Sequence, residues 1–313
     1  MPTLPASLTD SEFPHDSEDI VFFNRYTGQF EKEQIAGEAW IKWIYSSPLG
    51  KLALHTLVKR AFFSKLFGAT RNSSSSCKDI APFVEEYGIN MEESQKSIGE
   101  FIHFNDFFYR QLKPGARSID STPESAIFPA DARHMGWQSA QDMKNVFVKG
   151  QQFDIPALLG NPHLGKLYAT GSVVLSRLCP TDYHRFHFPV EGTPSTAINI
   201  PGPLASVSPI CLKHKISWLW TNKRTLTLLQ TEQWGQVAIL AVGATGVGGI
   251  HMTYTPEKKT GKGDEQGYFS FGGSTVMTFF EPNRIILDQD LIALTSQCIE
   301  LYAKQGDHMG TRI

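Results

Sequence analysis

Long apolar stretches are missing from this 313-residue chain. No run of 18 or more predominantly apolar residues occurs, and the uncharged segment from Val237 to Ile250 is short and broken by glycines, so no membrane-spanning helix is expected. Positive charge is not in excess either: 29 Lys and Arg face 31 Asp and Glu. A chain so balanced lacks the field of a protein that coats nucleic acid, and no nucleic-acid partner is expected. Cysteine is scarce, and the four at positions 77, 179, 211 and 298 form no CxxC pair. That excludes a zinc-ribbon pattern and a dense disulfide framework, and points to a reducing, cytoplasm-facing compartment. The first residues, MPTLPASLTDSEF, have neither a basic start nor an apolar stretch, so no secretory signal is expected. What is present is 41% hydrophobic residues, enough for a sizeable core, which excludes disorder throughout.

The charges are unevenly placed. Residues 1–39 hold eight acidic side chains and two basic ones, and read as an acidic, solvated arm. From Trp40 to Arg71 there are six Lys and Arg, no Asp or Glu, and large apolar residues at Trp40, Trp43, Phe62, Phe63 and Phe67. Pro48-Leu49-Gly50 splits this segment into two helices. In the second, Leu54, Leu57, Val58, Ala61 and Phe62 share one face, as in an amphipathic helix. Basic amphipathic helices with aromatic residues suit an anionic membrane surface, and they equally suit helices docked on a core. A helical region is expected from about Ile80 to Leu112, stopped by Pro114-Gly115. From about Ser118 to Ile286 short β-branched and aromatic runs alternate with Gly and Pro, the mark of a strand-rich domain. Leu291, Leu294, Cys298, Leu301 and Tyr302 predict a final helix closed by Gly306. The fold class expected is therefore α+β: N-terminal amphipathic helices, then a strand-rich domain of sandwich or barrel-like form, then a C-terminal helix. The domain division expected is 1–39, 40–117 and 118–313.

Four short segments carry candidate chemistry. In GYFSFGGSTVMTFFE, residues 267–281, Gly272-Gly273-Ser274-Thr275 sits between two strand-like runs; such a pair marks either a hairpin turn or backbone with a function. In Tyr183-His184-Arg185-Phe186-His187 two histidines stand three apart. They lack the further ligands of a zinc site, so no metal is expected, and acid–base work suits them better. In a regular strand that offset puts the two rings on opposite faces, so a site using both needs a turn or bulge between them. Phe128-Pro129-Ala130-Asp131-Ala132-Arg133 places an acid where a strand begins. Gly243–Gly249 lacks the Lys-Ser/Thr of a P-loop and the spacing of a dinucleotide fingerprint, and reads as close backbone packing. Asp131, His187 and Ser274 supply an acid, a base and a hydroxyl, the ingredients of a charge-relay triad.

FNDFFYRQLKPGAR at 104–117, PADAR at 129–133, DYHRFHFPVEG at 182–192, VGATGVG at 242–248 and FGGST at 271–275 resemble the ordered signature blocks of the phosphatidylserine decarboxylases. The resemblance runs from about Asn24 to Glu281 and is strongest to the bacterial branch with FGGST where others have LGST. Ala132 departs from it, standing where the family usually has Gly. The resemblance implies a proenzyme that cleaves itself between Gly273 and Ser274, with Asp131 orienting His187 and His187 deprotonating Ser274. The products would be a β chain, 1–273, and an α chain, 274–313, forming a heterodimer with further dimerisation left open. Ser274 would become a covalent pyruvoyl group, the electron sink that decarboxylation at Cα needs, and would form a Schiff base with the substrate amine. His184 would return a proton to Cα. Substrate and partner would be phosphatidylserine in anionic membranes, giving phosphatidylethanolamine and carbon dioxide, with residues 40–71 holding the protein peripherally on the cytoplasmic side of the cell membrane. Three alternatives stand beside this reading: a pyruvoyl enzyme acting on a soluble amino acid such as tryptophan, a serine hydrolase or protease with Ser274 intact, and a membrane-binding homologue that no longer cleaves itself.

Overall fold

The computed structural model describes residues 20–34, 70–143, 153–204, 212, 216–243, 249–271 and 274–313. The basic segment 40–69 lies outside the described residues, as do 244–248 of the glycine-rich stretch and both Gly272 and Gly273. The strands in chain order are β1 Val21–Asn24, β2 Gln29–Lys32, β3 Ser125–Ile127, β4 Ala132–Trp137, β5 Val173–Leu178, β6 Arg185–His187, β7 Thr193–Pro194, β8 Ile198–Ile200, β9 Arg224–Gln230, β10 Gln236–Val242, β11 Ile250–Met252, β12 Glu265–Phe269, β13 Ser274–Phe279, β14 Ile285–Leu287, β15 Glu300–Ala303 and β16 His308–Arg312. Ten of them build one sheet in the order β2-β1-β15-β4-β5-β13-β10-β9-β7, with β8 also paired to β9. Its pairings are antiparallel except that of β1 with β15. Two three-stranded sheets, β11-β12-β6 and β14-β16-β3, complete the set. Among the described residues the large sheet stays open and closes no barrel.

The central strands are apolar on both faces because both faces are covered. Alternate residues point to opposite sides, so Leu175, Leu240 and Met277 join one core with Trp137, Leu158 and Leu219. Their neighbours Val174, Ile239 and Val276 join the other, with Phe186, Phe269, Leu291 and Leu294. A third cluster gathers Ile80, Phe101, Phe104, Phe107 and Phe108.

Three expectations from the sequence change. The region from Ile80 to Leu112 is not one helix: an α-helix at Ile80–Tyr87 ends at left-handed Gly88, short 3-10 turns follow, and a second α-helix spans Phe104–Phe108. Its phenylalanines converge on a small core of their own, which a long straight helix could not achieve. The last helix runs from Gln289 to Ser296 and no further, because Cys298 takes a positive φ of 60° and turns the chain into β15. Leu301 and Tyr302 thus belong to a strand. The acidic arm is not wholly solvated, since β1 and β2 extend the central sheet and Glu33 is buried beside them. Among the described residues no helix is long and apolar enough to cross a membrane.

Candidate active site

Ser274 opens β13 opposite Leu178 of β5, in the interior of the large sheet, and is fully buried. Its Oγ lies 3.3 Å from Nδ1 of His184. The other ring nitrogen, Nε2, lies 2.8 Å from the carbonyl oxygen of Cys179. A carbonyl only accepts, so Nε2 carries the proton, and the neutral ring turns a lone pair on Nδ1 toward the serine hydroxyl. Ser274 therefore donates to His184, the arrangement of a nucleophile with its base. Burial pushes the imidazole down to about 3, with the nearby Arg110 charge lowering it further and the Cys179 carbonyl opposing. The ring is neutral at any ordinary pH.

The turn from Cys179 to Tyr183 fixes that orientation. The Asp182 carboxylate accepts from the Cys179 amide at 2.6 Å, and Arg133 in turn holds Asp182 at 2.6 Å. Arg177, buried beside this turn, binds Glu300 at 2.6 and 2.8 Å and also Glu33. On the other side the Phe108 ring stacks on His184 with centroids 3.8 Å apart. Asn105, one turn earlier, accepts from the Phe271 amide at 2.7 Å, so the Phe104–Phe108 helix anchors both the base and the segment that leads into residue 274.

The expected relay through His187 is not what the structure holds. The ring on Ser274 is that of His184. His184 precedes β6, where the turn aims it at β13, whereas His187 ends β6 opposite Glu265 of β12. His187 Nδ1 is buried without a partner, and its ring stacks loosely on Tyr183 at 5.9 Å. Burial depresses this imidazole too, to about 4, against the opposing charges of Glu265 and Asp131. Asp131 makes no hydrogen bond to His187: Arg117 holds it with Nε at 3.0 Å to both oxygens and a second nitrogen at 2.6 Å, and the Gln305 amide adds a bond at 2.9 Å. The structure thus joins Ser274 to His184 and leaves Asp131 and His187 outside the pair. Gly273 lies outside the described residues. Phe108, Asp182 and Arg133 are functional neighbours that the sequence reading did not single out for chemistry, although each stands within a block it quoted. Ala132, buried in β4, pairs with Ala303 of β15 as an ordinary strand residue.

The residues fit the formation of a pyruvoyl group from Ser274: a water-excluded hydroxyl at a strand start bonded to an unprotonated ring nitrogen. Comparison with known proteins gives the same direction. A family model described as phosphatidylserine decarboxylase matches residues 104–300. A phosphatidylserine decarboxylase proenzyme from Fusobacterium nucleatum is 41% identical over 293 residues, covering 94% of this chain and 98% of that one. Proenzymes of the same description from Chlamydia muridarum and Clostridium novyi are each 40% identical, over 95% and 94% of this chain and 99% and 100% of theirs. Among solved structures, glucose permease IIA from Mycoplasma capricolum aligns with a TM-score of 0.29 at 15% identity, over 59% of this chain and 93% of that one, a likeness that carries no argument. On the family match and on this degree of identity over nearly the whole length, the chain belongs to the phosphatidylserine decarboxylase family.

Proposed function

We infer that this chain is a self-processing phosphatidylserine decarboxylase, which cuts itself between Gly273 and Ser274 and converts phosphatidylserine to phosphatidylethanolamine and carbon dioxide. The observation that carries this reading is the buried Ser274 hydroxyl on the acceptor nitrogen of His184, found in a chain of this family. In the first step the hydroxyl proton passes to His184 Nδ1 while Oγ attacks the carbonyl carbon of Gly273. The C–N bond breaks, the amine of Ser274 takes the proton back, and an ester replaces the amide. Loss of the Cα proton of residue 274 then expels the Gly273 carboxylate, which ends the β chain, 1–273. The dehydroalanine left on the α chain, 274–313, becomes an imine and is hydrolysed by water to a ketone and ammonia.

Once formed, the pyruvoyl group supplies the electron sink for decarboxylation at an amino-acid Cα. The cut also removes the hydroxyl that His184 Nδ1 had accepted from, so that nitrogen is free to take up a proton from solvent and pass it to Cα. This assigns His184 to both steps, in place of the division between His187 and His184 expected from the sequence. A base held near 3 is weak, but self-cleavage happens once per molecule and needs no fast turnover. For the domain division we propose 118–313 as the reacting body, with strands β1 and β2 of 1–39 and the Phe104–Phe108 helix of 40–117 packed on it, and the lipid-facing part assigned to 40–71. Membrane attachment through 40–71 on the cytoplasmic side is part of the proposal, on the charge and aromatic pattern of that segment.

The test is the intact mass of the C-terminal fragment on a denaturing gel and by mass spectrometry. A fragment 274–313 that begins with pyruvoyl supports the reading. A single uncut chain that hydrolyses esters, or a fragment that begins with serine, refutes it.

A further inference from the structure

A cavity of about 350 Å³ opens beside the Cys179–Tyr183 turn, lined among others by Arg110, Arg117, Asp131, Arg133, Asp182 and Tyr183. Its cations are not equivalent. Arg117 is paired with Asp131 and with Glu93 at 2.9 Å, Arg133 with Asp182, and Lys304 reaches Glu93 at 3.9 Å. Arg110 is buried like Arg133, yet no ion pair or side-chain hydrogen bond engages it among the described residues, and its Nε is enclosed without a partner. Its guanidinium lies against the Phe107 ring, 5.1 Å from the centroid. Burial lowers its proton affinity, an effect that the Asp131 and Asp182 charges oppose. Holding a guanidinium out of water with no counterion costs stability, and an arrangement of this kind is accounted for when an anion completes it on binding.

We propose that Arg110 is the anion receptor of this cavity and takes the phosphodiester of the lipid headgroup, an inference that rests on the decarboxylase reading above. Two anionic groups are available on such a headgroup, and chemistry chooses between them. The carboxylate leaves as neutral carbon dioxide, so a guanidinium paired to it would stabilise the ground state more than the transition state and slow the reaction. The phosphodiester keeps its charge throughout, and binding it anchors the headgroup at no such cost. Arg110 also sits two residues from Phe108, which stacks on His184, and its charge acts on that ring. The cavity is lined by Asp182 and Tyr183, the residues that lead directly into His184, so a phosphodiester held on Arg110 lies beside the turn that carries the base.

The experiment uses the full-length Ser274→Ala chain, which cannot form the pyruvoyl group, so binding is read apart from decarboxylation. The probe is glycerophosphoglycerol, a phosphodiester with neither carboxylate nor amine, followed by isothermal titration with acetate as competitor. Binding that falls at least tenfold on adding Arg110→Met, and that acetate does not displace, is the expected result. Equal binding by the Arg110→Met chain, or displacement by acetate dependent on Arg110, overturns the proposal. Met keeps the volume and removes an unpaired buried charge, so that chain should melt no lower than its parent; a lower melting temperature would show that Arg110 serves the fold, and also overturns it. Loss of decarboxylation in the processed wild-type chain with probe binding intact would count against the decarboxylase reading alone.

Discussion

Replacing His184 by Ala should stop self-cleavage, and replacing His187 should not. The magnitude follows from the contact of His184 Nδ1 with Ser274 Oγ at 3.3 Å: a positioned general base contributes roughly 10²–10⁴-fold, about 3–5 kcal/mol of barrier. His184→Ala should therefore lengthen the half-time of cleavage by at least about a hundredfold, while His187→Ala leaves it within a few-fold. A second signature is the pH profile. With the His184 imidazole near 3, about 99% of the ring is neutral at pH 5, whereas an ordinary histidine would be only about 3% neutral there. Cleavage should be nearly flat between pH 7.5 and pH 5, against a loss of about thirtyfold for an unperturbed base. The assay is a time course on denaturing gels after cell-free synthesis and a shift of pH, with circular dichroism to confirm folding of each variant. Blocked cleavage in His187→Ala together with normal cleavage in His184→Ala would refute the assignment, and a steep fall toward pH 5 would refute the buried neutral base.

Acid should also unfold the uncut chain. His134, His184 and His187 sit near 3, 3 and 4 in the fold, below the ordinary 6.5, so between 6.5 and those values the unfolded chain binds protons that the folded one refuses. Their contribution is full above pH 6.5 and is lost as pH falls through that window, at about 2 kcal/mol for each by pH 5; urea unfolding of the Ser274→Ala chain at pH 7.5 and 5 measures it, and an unchanged midpoint contradicts it. Replacing Lys59, Arg60 and Lys65 by Gln should weaken co-sedimentation with anionic vesicles more than activity on detergent-dispersed substrate, since each cation adds on the order of 1 kcal/mol at low salt. Unchanged co-sedimentation would sink the membrane proposal.

Local patterns in the sequence pointed to the strand-rich body and to residues 131, 184, 187 and 274 as candidates, of which the structure brings 184 and 274 together and leaves 131 and 187 apart from them. Periodicity sees which residues share a face, and β13 obeys it. What it could not see is the direction of a side chain outside a strand. His184 stands one residue before β6, and its aim is set by a turn whose geometry depends on Asp182 and Arg133, 49 positions apart in the chain. The offset of three between the histidines did signal that both could not face one nucleophile from a regular strand, but not which one would. The aromatic residues at 104–108 looked like part of one long helix because a five-residue helix and a long one share the same local spacing. Glu33 looked solvated because nothing near it in sequence announces Arg177, its partner across the sheet.

The place of Ser274 in the sheet has a mechanical consequence. A cut before residue 274 would free the first end of an interior strand, not of a loop: β13 is registered against β5 along its whole length and against β10 for most of it. The fragment that begins there also supplies β15, wedged between β1 and β4, and β16, wedged between β14 and β3. Pulling it out would strip five ladders at once, β13 from β5 and β10, β15 from β1 and β4, and β16 from β3, and leave two slots in the large sheet. The two pieces should therefore behave in solution as one inlaid body, staying together through dilution and chromatography and parting only when the sheet itself is unfolded.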